Sequence, residues 1–209
     1  MRARVIVPQH ALSEAKSRLG RVLSTRRRAE LSLALLRHVC AALRATADVE
    51  GIVIMTPDPA VRAHAARWGV PTRPDPGPEF NRALSEVIRA TAARLHAVVV
   101  VAADLPLLRP ADVAALLAAG DHGRLVLAPS KEGTGTNAVV VPPGLTFHAA
   151  YGPGSLSAHR RAARALGPEA LEIRRPGLAF DLDTESDLLA LDGRGGYGVT
   201  PAASRPGWR

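Results

Sequence analysis

Short apolar runs and segments with helical periodicity alternate along the chain. The run Ala3 to Val7 predicts a strand, and the periodic segment after a Ser24 or Thr25 cap predicts a helix reaching about Thr46. Ala97 to Ala102 contains four consecutive valines and predicts the central strand. This alternation is typical of βα units that build a mostly parallel sheet with right-handed crossovers.

The other predicted elements continue the same pattern. Further strands are predicted at Ile52 to Met55, Val70 to Thr72, Arg124 to Ala128, Asn137 to Val141, Leu171 to Ile173 and Leu178 to Leu182. Further helices are predicted to end near Trp68, to span Phe80 to Leu95 and Pro110 to Gly120, to reach Leu166, and to begin at a Thr184 cap. We expect one domain over residues 1–192 and a poorly ordered tail over residues 193–209, where Gly, Pro and Ser dominate.

Composition refines this architecture. Hydrophobic residues make up 47% of the 209 residues but aromatic residues only 3%, so Ala, Val and Leu must fill the core. No apolar run reaches the roughly 18 residues of a membrane span, and the start lacks a signal-peptide core, so we expect a cytoplasmic protein without membrane contact. Cys40 is the only cysteine, which excludes an internal disulfide and a multi-cysteine zinc site.

The formal charge of +8 is compatible with nucleic acid, a phosphorylated ligand or plain solubility. The basic residues are scattered, and the few aromatics do not interleave with them as a base-stacking surface requires. We therefore expect no nucleic-acid partner. The two lysines, Lys16 and Lys131, both lie in predicted loops.

Polar clusters follow several predicted strands, at the sheet edge where ligands bind in parallel α/β folds. The loop Ser13 to Gly20 carries Lys16 and Arg18 and suits a triphosphate, although an ordinary solvated loop has the same composition. It matches no P-loop or dinucleotide fingerprint.

Acidic residues occur at two such positions. Asp104 follows the valine strand, and Asp181 and Asp183 alternate in a predicted strand end, so both can point into one space. Magnesium takes one or two carboxylates plus phosphate oxygens, which these residues would provide. The alternative for Asp183 is that it caps the helix beginning at Thr184.

Two glycine-rich stretches, Gly133 to Asn137 and Gly152 to Ser155, suit an anion. Glycines let backbone N–H groups approach a ligand, and the second stretch opens a helix whose N-terminus favours negative charge. His159, Arg160 and Arg161 follow on that helix, where they either face the anion or are simply solvated.

Seven short motifs in one order resemble the CofC family, the 2-phospholactate or phosphoenolpyruvate guanylyltransferases of deazaflavin coenzyme biosynthesis. The resemblance covers residues 3 to about 190. Its motifs are AKSRL, TPD, FNRAL, ADLP, GTGTNAV, GPGS and FDLDT.

The resemblance implies an α/β fold: a three-layer, Rossmann-like nucleotidyltransferase domain, close to the glycosyltransferase-A architecture. It implies Mg²⁺-dependent transfer of a nucleoside monophosphate from GTP to the phosphate of a small acid, with release of pyrophosphate. The metal residues it implies are Asp104 and Asp181, with Asp183 nearby, and the catalytic set adds Lys16 and Arg18 to the first two.

The family's binding residues also map onto this chain. The acid substrate would lie at Thr136, Gly152 and Ser155. The implied nucleotide-binding residues are His10, Lys16, Arg18, Thr56, Asn81 and Asp104.

One departure from the family pattern concerns the nucleotide site. Relatives follow the first strand with P-V-K-P, whereas this chain has Pro8-Gln9-His10-Ala11, so His10 replaces a fixed positive charge by a titratable ring. Lys131, in the loop before GTGT, would compensate for the lost lysine. The alternatives are a cytidylyltransferase that uses CTP and a phosphonate such as phosphonoformate, and a non-catalytic nucleotide-binding protein. The oligomeric state stays open, a homodimer included.

Overall fold

The computed structural model describes residues 2–75, 79–92, 96–121, 123–167 and 169–192. The tail predicted for residues 193–209 lies outside the described residues, as does the end of the helix predicted to reach Leu95. None of the described helices is long and apolar enough to cross a membrane.

Seven strands form one sheet in the described part of the chain. They are β1 (Ala3–Pro8), β2 (Val49–Met55), β3 (Thr72–Arg73), β4 (Ala97–Val101), β5 (Val126–Pro129), β6 (Thr136–Val141) and β7 (Leu171–Glu172). Their order across the sheet is β3-β2-β1-β4-β6-β5-β7. Neighbours pair in parallel except at β6, which is antiparallel to both β4 and β5. The predicted mostly parallel α/β sheet is confirmed.

Helices cover both faces of this sheet. They are α1 (Thr25–Arg44), α2 (Pro59–Arg67), α3 (Phe80–Ala92), α4 (Pro110–Gly120), α5 (Ser155–Ala165), α6 (Pro176–Ala179) and α7 (Glu185–Asp192), with a 3₁₀ turn at Ser17–Leu19. The predicted start of α1 is confirmed, because the Ser24 hydroxyl accepts a hydrogen bond from the Arg27 N–H.

The valine run of β4 explains the three layers. Val99 and Val101 belong to the apolar cluster under α1, α2 and α4, whereas Val98 and Val100 belong to the cluster under α3 and α5. All four side chains are at most 1% exposed. Because side chains alternate along a strand, only a continuous apolar run can supply both clusters.

A third apolar cluster fixes the loop after β1 to the end of the domain. Leu19 in the 3₁₀ turn packs in the same buried group as Leu182, which directly follows Asp181, and Leu188 of α7. Leu31 and Leu35 of α1 also belong to this group. The cluster therefore joins two segments that are distant in the sequence and that carry most of the predicted charged site residues.

The predicted strand Leu178 to Leu182 is wrong. Pro176 opens the short helix α6 instead, a position where its fixed φ and missing N–H are harmless. The Asn137 amide donates to the carbonyls of Leu178 and Ala179, so the last turn of α6 is satisfied by a side chain rather than by a neighbouring strand.

Candidate active site

A cleft of about 620 Å³ opens at the carboxyl ends of β1 and β4. Since β6 runs in the opposite direction, its first residue, Thr136, reaches the same edge. The described residues that line the cleft are Pro8, Gln9, His10, Glu14, Ala15, Lys16, Ser17, Arg18, Ser32, Phe80, Val100, Ala102, Ala103, Asp104, Thr136, Tyr151 and Asp183. The position agrees with the rule that parallel α/β sheets bind ligands beyond the carboxyl ends of their strands.

Lys16 joins the two acidic segments of this cleft. Its Nζ lies 2.6 Å from Asp104 Oδ2 and 2.9 Å from Asp183 Oδ1, and the Lys16 side chain is only 7% exposed. Arg18 extends from the same loop, with its guanidinium 3.6 Å from Asp183 and 74% of its side chain exposed. Two cations and two carboxylates thus meet at one wall of the cleft.

The surroundings of Lys16 favour its charged form. Burial opposes it, but the charges of Asp104 and Asp183 and their hydrogen bonds outweigh burial and raise the pKa of Lys16. Lys16 is also the one non-glycine residue with positive φ (52°) in the described part of the chain. Such a backbone conformation costs about 1–2 kcal/mol and persists only where surrounding contacts hold it.

Asp181 has a different set of partners from Asp183. Its Oδ1 lies 3.4 Å from the Asn137 amide nitrogen and 3.7 Å from Lys131 Nζ, and it is not among the described residues lining the cleft. Burial, followed by the charge of Asp104, raises the pKa of Asp181. The structure therefore brings Asp183 to Asp104 through Lys16, with Asp181 in electrostatic reach of both.

Backbone contacts hold the acidic segment in place. The Leu182 N–H donates to the Asp104 carbonyl oxygen at 3.1 Å, and the buried Leu182 side chain turns away into the third cluster. Asp183, the next residue, lies in the cleft with Lys16, whereas Asp181, the residue before, lies near Asn137 and Lys131.

Thr184, rather than Asp183, caps α7. Asp187 N–H donates to the Thr184 hydroxyl, while the Asp187 carboxylate accepts from the N–H groups of Asp183 and Thr184 at 3.0 and 2.7 Å. The alternative role of Asp183 as a helix cap is thereby removed, and its carboxylate is left to Lys16 and Arg18.

Lys131 supports this segment from outside the cleft. Its Nζ donates to the Asp181 carbonyl oxygen at 2.6 Å, lies 3.0 Å from Asp187 Oδ1 and sits 5.0 Å from the centre of the Phe180 ring. Lys131 is not among the described residues that line the cleft. Its position therefore does not support the expectation that Lys131 supplies the positive charge lost where His10 replaces a lysine.

Thr136, the first residue of β6, also lines the cleft. Its backbone N–H donates to the Ser155 hydroxyl at 3.0 Å, and its own hydroxyl lies 3.0 Å from His159 Nδ1. Ser155 is buried at the start of α5, and its N–H donates to the Gly152 carbonyl. Of these three residues, only Thr136 is among the described residues that line the cleft, and Ser155 contacts its backbone from outside that lining.

The predicted nucleotide-binding residues divide into two groups. His10 lines the cleft, with its ring 6.2 Å from the Phe80 ring. Thr56 is fully buried and accepts from the Asp58 N–H, and the Asn81 amide both donates to and accepts from the Tyr151 backbone. For Thr56 and Asn81 nucleotide binding stays a prediction, and the geometry gives both a role in holding loops.

His159 and Tyr151 contribute to the site in ways that the sequence did not predict. His159 is fully buried rather than solvated, and it lies four residues after Ser155, on the same face of α5. The i, i+4 spacing places His159 and Ser155 on one face of α5, although spacing alone does not show that this face is buried. Tyr151 lines the cleft, but its preceding loop carries no pattern from which that position follows.

The described residues contain no cluster of three or more His, Cys, Asp or Glu side chains able to hold a metal. A pair of carboxylates is nevertheless what magnesium uses when phosphate oxygens complete its shell. Asp104 and Asp183 form such a pair, and both already bind one cation, the Lys16 ammonium. The donor set fits a phosphate-bound Mg²⁺.

Comparison with known proteins places the chain in a family. The family model described as guanylyl transferase CofC like matches residues 3–198. The chain belongs to this family. The phosphoenolpyruvate guanylyltransferase of Sphaerobacter thermophilus is 39% identical over 199 residues, which cover 93% of this chain and 95% of the relative. The resemblance seen in the motifs is confirmed, and so is the nucleotidyltransferase class.

Solved structures of low sequence identity confirm the fold. A nucleotide-diphospho-sugar transferase structure from Desulfovibrio desulfuricans has a TM-score of 0.72 at 17% identity, over 98% of this chain and 90% of the other. The structure of CMP:2-keto-3-deoxy-manno-octonic acid synthetase complexed with CTP has a TM-score of 0.63 at 14% identity, over 93% and 98%. The expected nucleotidyltransferase fold is therefore correct.

Proposed function

We propose that this protein transfers GMP from GTP to the phosphate of a small phosphorylated carboxylic acid, phosphoenolpyruvate or 2-phospholactate, and releases pyrophosphate. The observation that carries the proposal is the pairing of Asp104 and Asp183 with Lys16 at the cleft wall, in a chain of the CofC-like family. The name of the Sphaerobacter relative supports GTP and phosphoenolpyruvate as the first substrates to test.

Asp104 and Asp183 are the residues that would hold Mg²⁺, with Asp181 near enough to act on both electrostatically. A bound Mg²⁺ would neutralise charge on the triphosphate oxygens. Lys16 pairs with both carboxylates, so its ammonium is placed to exchange them for a triphosphate.

The reaction needs no proton transfer and no covalent enzyme intermediate. An anionic oxygen of the acceptor phosphate forms a bond to the α-phosphorus of GTP, the bond from that phosphorus to the bridging oxygen breaks, and pyrophosphate leaves with the electron pair. The task of the protein is to align two anions and offset their repulsion. Lys16 and Arg18 supply positive charge on the nucleotide side, and Thr136 faces the acceptor side.

The acceptor subsite would lie around Thr136, with Ser155 and Gly152 shaping it from behind. The Ser155 hydroxyl fixes the Thr136 backbone, and the Gly152 carbonyl fixes the first turn of α5. Substitution of Ser155 by Ala should therefore raise the KM of the acceptor more than the KM of the nucleotide. An equal rise in both would argue against an acceptor subsite at this position.

His10 favours one second candidate, a cytidylyltransferase acting on a phosphonate such as phosphonoformate. The ring lines the cleft next to Phe80, where the family pattern has a lysine. A changed residue at this wall is compatible with a changed nucleotide or acceptor.

A substrate grid separates these proposals. The full-length protein with Mg²⁺ is assayed for pyrophosphate release with four nucleoside triphosphates against phosphoenolpyruvate, 2-phospholactate, phosphoglycerate and phosphonoformate. We expect the highest rate with GTP and one of the first two acids. A maximum with CTP and phosphonoformate would replace this function by the second candidate, and no release with any pair would indicate a non-catalytic nucleotide-binding protein.

A further inference from the structure

His159 is buried directly behind the cleft wall. It is 0% exposed and has the Tyr151 ring edge-on at 4.7 Å between ring centres and the Phe147 ring at 5.4 Å. A histidine enclosed by aromatic rings is poorly placed to carry a charge, and burial lowers the pKa of His159 to about 4. The imidazole is therefore neutral at physiological pH.

The contacts of the ring decide its tautomer. The Ala150 backbone N–H donates to His159 Nε2 at 3.0 Å, and a backbone N–H has no other role than donor. Nε2 must then carry the lone pair, and the single proton of the neutral ring lies on Nδ1. Nδ1 lies 3.0 Å from the Thr136 hydroxyl oxygen, so His159 donates to Thr136.

This hydrogen bond decides which role the Thr136 hydroxyl has toward His159 and which role remains for a ligand. The oxygen accepts from His159, and the backbone N–H of Thr136 is already used by Ser155, so the residue is held at two points. The hydroxyl proton is not used in the bond to His159 and is available to a ligand in the cleft that Thr136 lines.

We propose that His159 is a positioning residue that holds the Thr136 hydroxyl as a hydrogen-bond donor to an anionic oxygen of the acceptor, its carboxylate or its phosphate. The choice of acceptor as the ligand rests on the proposed function. The direction of the hydrogen bond does not, because it follows from the Ala150 N–H alone. A hydroxyl that donates a hydrogen bond stabilises an anion bound in the subsite. With the opposite tautomer of His159, the hydroxyl would donate to His159 and present an oxygen lone pair to the anion.

The tautomer can be read in the wild-type protein without any substitution. Long-range proton–nitrogen correlation spectra of ¹⁵N-labelled full-length protein near pH 7 show which ring nitrogen of each histidine carries the proton, and a His159→Asn sample assigns the signal. We expect protonated Nδ1 and unprotonated Nε2 for His159. A proton on Nε2, or on both nitrogens, would overturn the proposal.

A double-mutant cycle then tests whether His159 acts through Thr136. Thr136→Val removes the hydroxyl at constant shape, and His159→Phe removes the donor while keeping a ring. Each change alone should raise the phosphoenolpyruvate KM roughly ten- to a hundredfold and leave the GTP KM unchanged. In the Thr136→Val background, His159→Phe should add nothing further. Additive effects, or equal rises in both KM values, would indicate a merely structural role and refute the proposal.

Two control variants distinguish loss of the hydrogen bond to Thr136 from general effects of replacing a histidine. His159→Asn keeps an N–H near the Nδ1 position and should restore most of the acceptor affinity lost in His159→Phe. His148→Asn changes an exposed histidine outside the described cleft lining and should leave both KM values unchanged. Wild-type protein without turnover on any pair of substrates would contradict the proposed function, and the nitrogen spectra would still decide the orientation of Thr136.

Discussion

Lys16 Nζ lies 2.6 Å from Asp104 Oδ2, and this ion pair joins the loop after β1 to the end of β4. Asp183 shares the same ammonium at 2.9 Å. The lysine thus occupies the space between the two carboxylates that we propose as metal ligands. Binding of a metal between them requires the ammonium to leave, and the triphosphate is the partner to which it would move.

We predict that Lys16→Met increases the affinity for Mn²⁺ in the absence of nucleotide, because a competing cation is removed from Asp104 and Asp183. The same variant should lose at least about tenfold in turnover, because methionine has no ammonium group to bind the triphosphate. Calorimetric titration with Mn²⁺ measures the first effect. Arg18→Met is the matched comparison, because Arg18 lies farther from Asp183 and is largely exposed, so its effect on Mn²⁺ affinity should be smaller. Weaker Mn²⁺ binding by Lys16→Met would contradict this role.

Asp104→Asn should abolish turnover while the fold persists. The carboxylate is at the cleft, and its loss removes both the proposed metal ligand and the partner of Lys16, which we expect to cost at least about 10²–10³-fold in kcat. Pyrophosphate release and the circular dichroism spectrum measure the two effects. Asp48→Asn, which changes an exposed carboxylate just before β2, is the control and should keep full activity. Full activity of Asp104→Asn would exclude it as a metal ligand.

Asp187→Asn should destabilise the acidic segment. The carboxylate accepts from two backbone N–H groups and pairs with Lys131, so its replacement should cost about 1–3 kcal/mol in the free energy of unfolding. Urea denaturation measures this loss. Glu185→Gln, an exposed acid in the first turn of the same helix, should cost at most about 1 kcal/mol. Equal losses would mean that only the helix dipole matters.

The Asp187 contribution should also depend on pH. Burial opposes its charge, but the hydrogen bonds from the Asp183 N–H and Lys131 outweigh burial and lower the pKa of Asp187. A lowered pKa means that the stabilisation is fully present above the unfolded value of about 4 and is lost as pH falls through the folded value. The stability difference between wild type and Asp187→Asn should therefore shrink in acid. A difference that stays constant down to pH 2 would contradict the pairing.

His159 should make stability fall in mild acid. Its pKa is about 4 in the folded chain against a usual 6.5, so the unfolded chain binds more protons between these values. Stability should rise with pH across that window and be flat above it, with a total change of about 3 kcal/mol. Urea midpoints measured from pH 4 to 7 test this, with His159→Asn as the comparison. The same slope in both proteins would mean that His159 does not titrate as a buried neutral ring.

Much of the fold was predictable because it depends on local patterns. The valines of β4 and the Ser24 cap of α1 are determined by side-chain burial and hydrogen bonding within a few residues. The segment Leu178 to Leu182 was predicted wrongly for the opposite reason. Its conformation depends on Asn137 and on the Asp104 carbonyl, partners that only the tertiary structure brings together.

The site was predictable residue by residue but not in its pairings. The motifs implied Lys16 as a catalytic residue and Asp104 and Asp181 as the metal residues, with Asp183 only nearby. That Asp183 is the acidic partner of Lys16 follows from the packing of Leu182 and the cap at Thr184, which the sequence did not show. For His159 the sequence left two positions open, facing the anion or exposed to solvent, because periodicity alone does not show which face of α5 is buried.

The central claim is tested most directly by the product itself. Full-length protein is incubated with GTP, phosphoenolpyruvate and Mg²⁺, and the mixture is followed by ³¹P NMR. We expect the phosphoenolpyruvate monophosphate signal to be replaced by a pair of coupled diphosphate doublets, with pyrophosphate forming in equal amount. A phosphoenolpyruvate signal that stays unchanged after prolonged incubation with enzyme and GTP would contradict the proposed guanylyl transfer, provided that 2-phospholactate is also unchanged in a parallel sample.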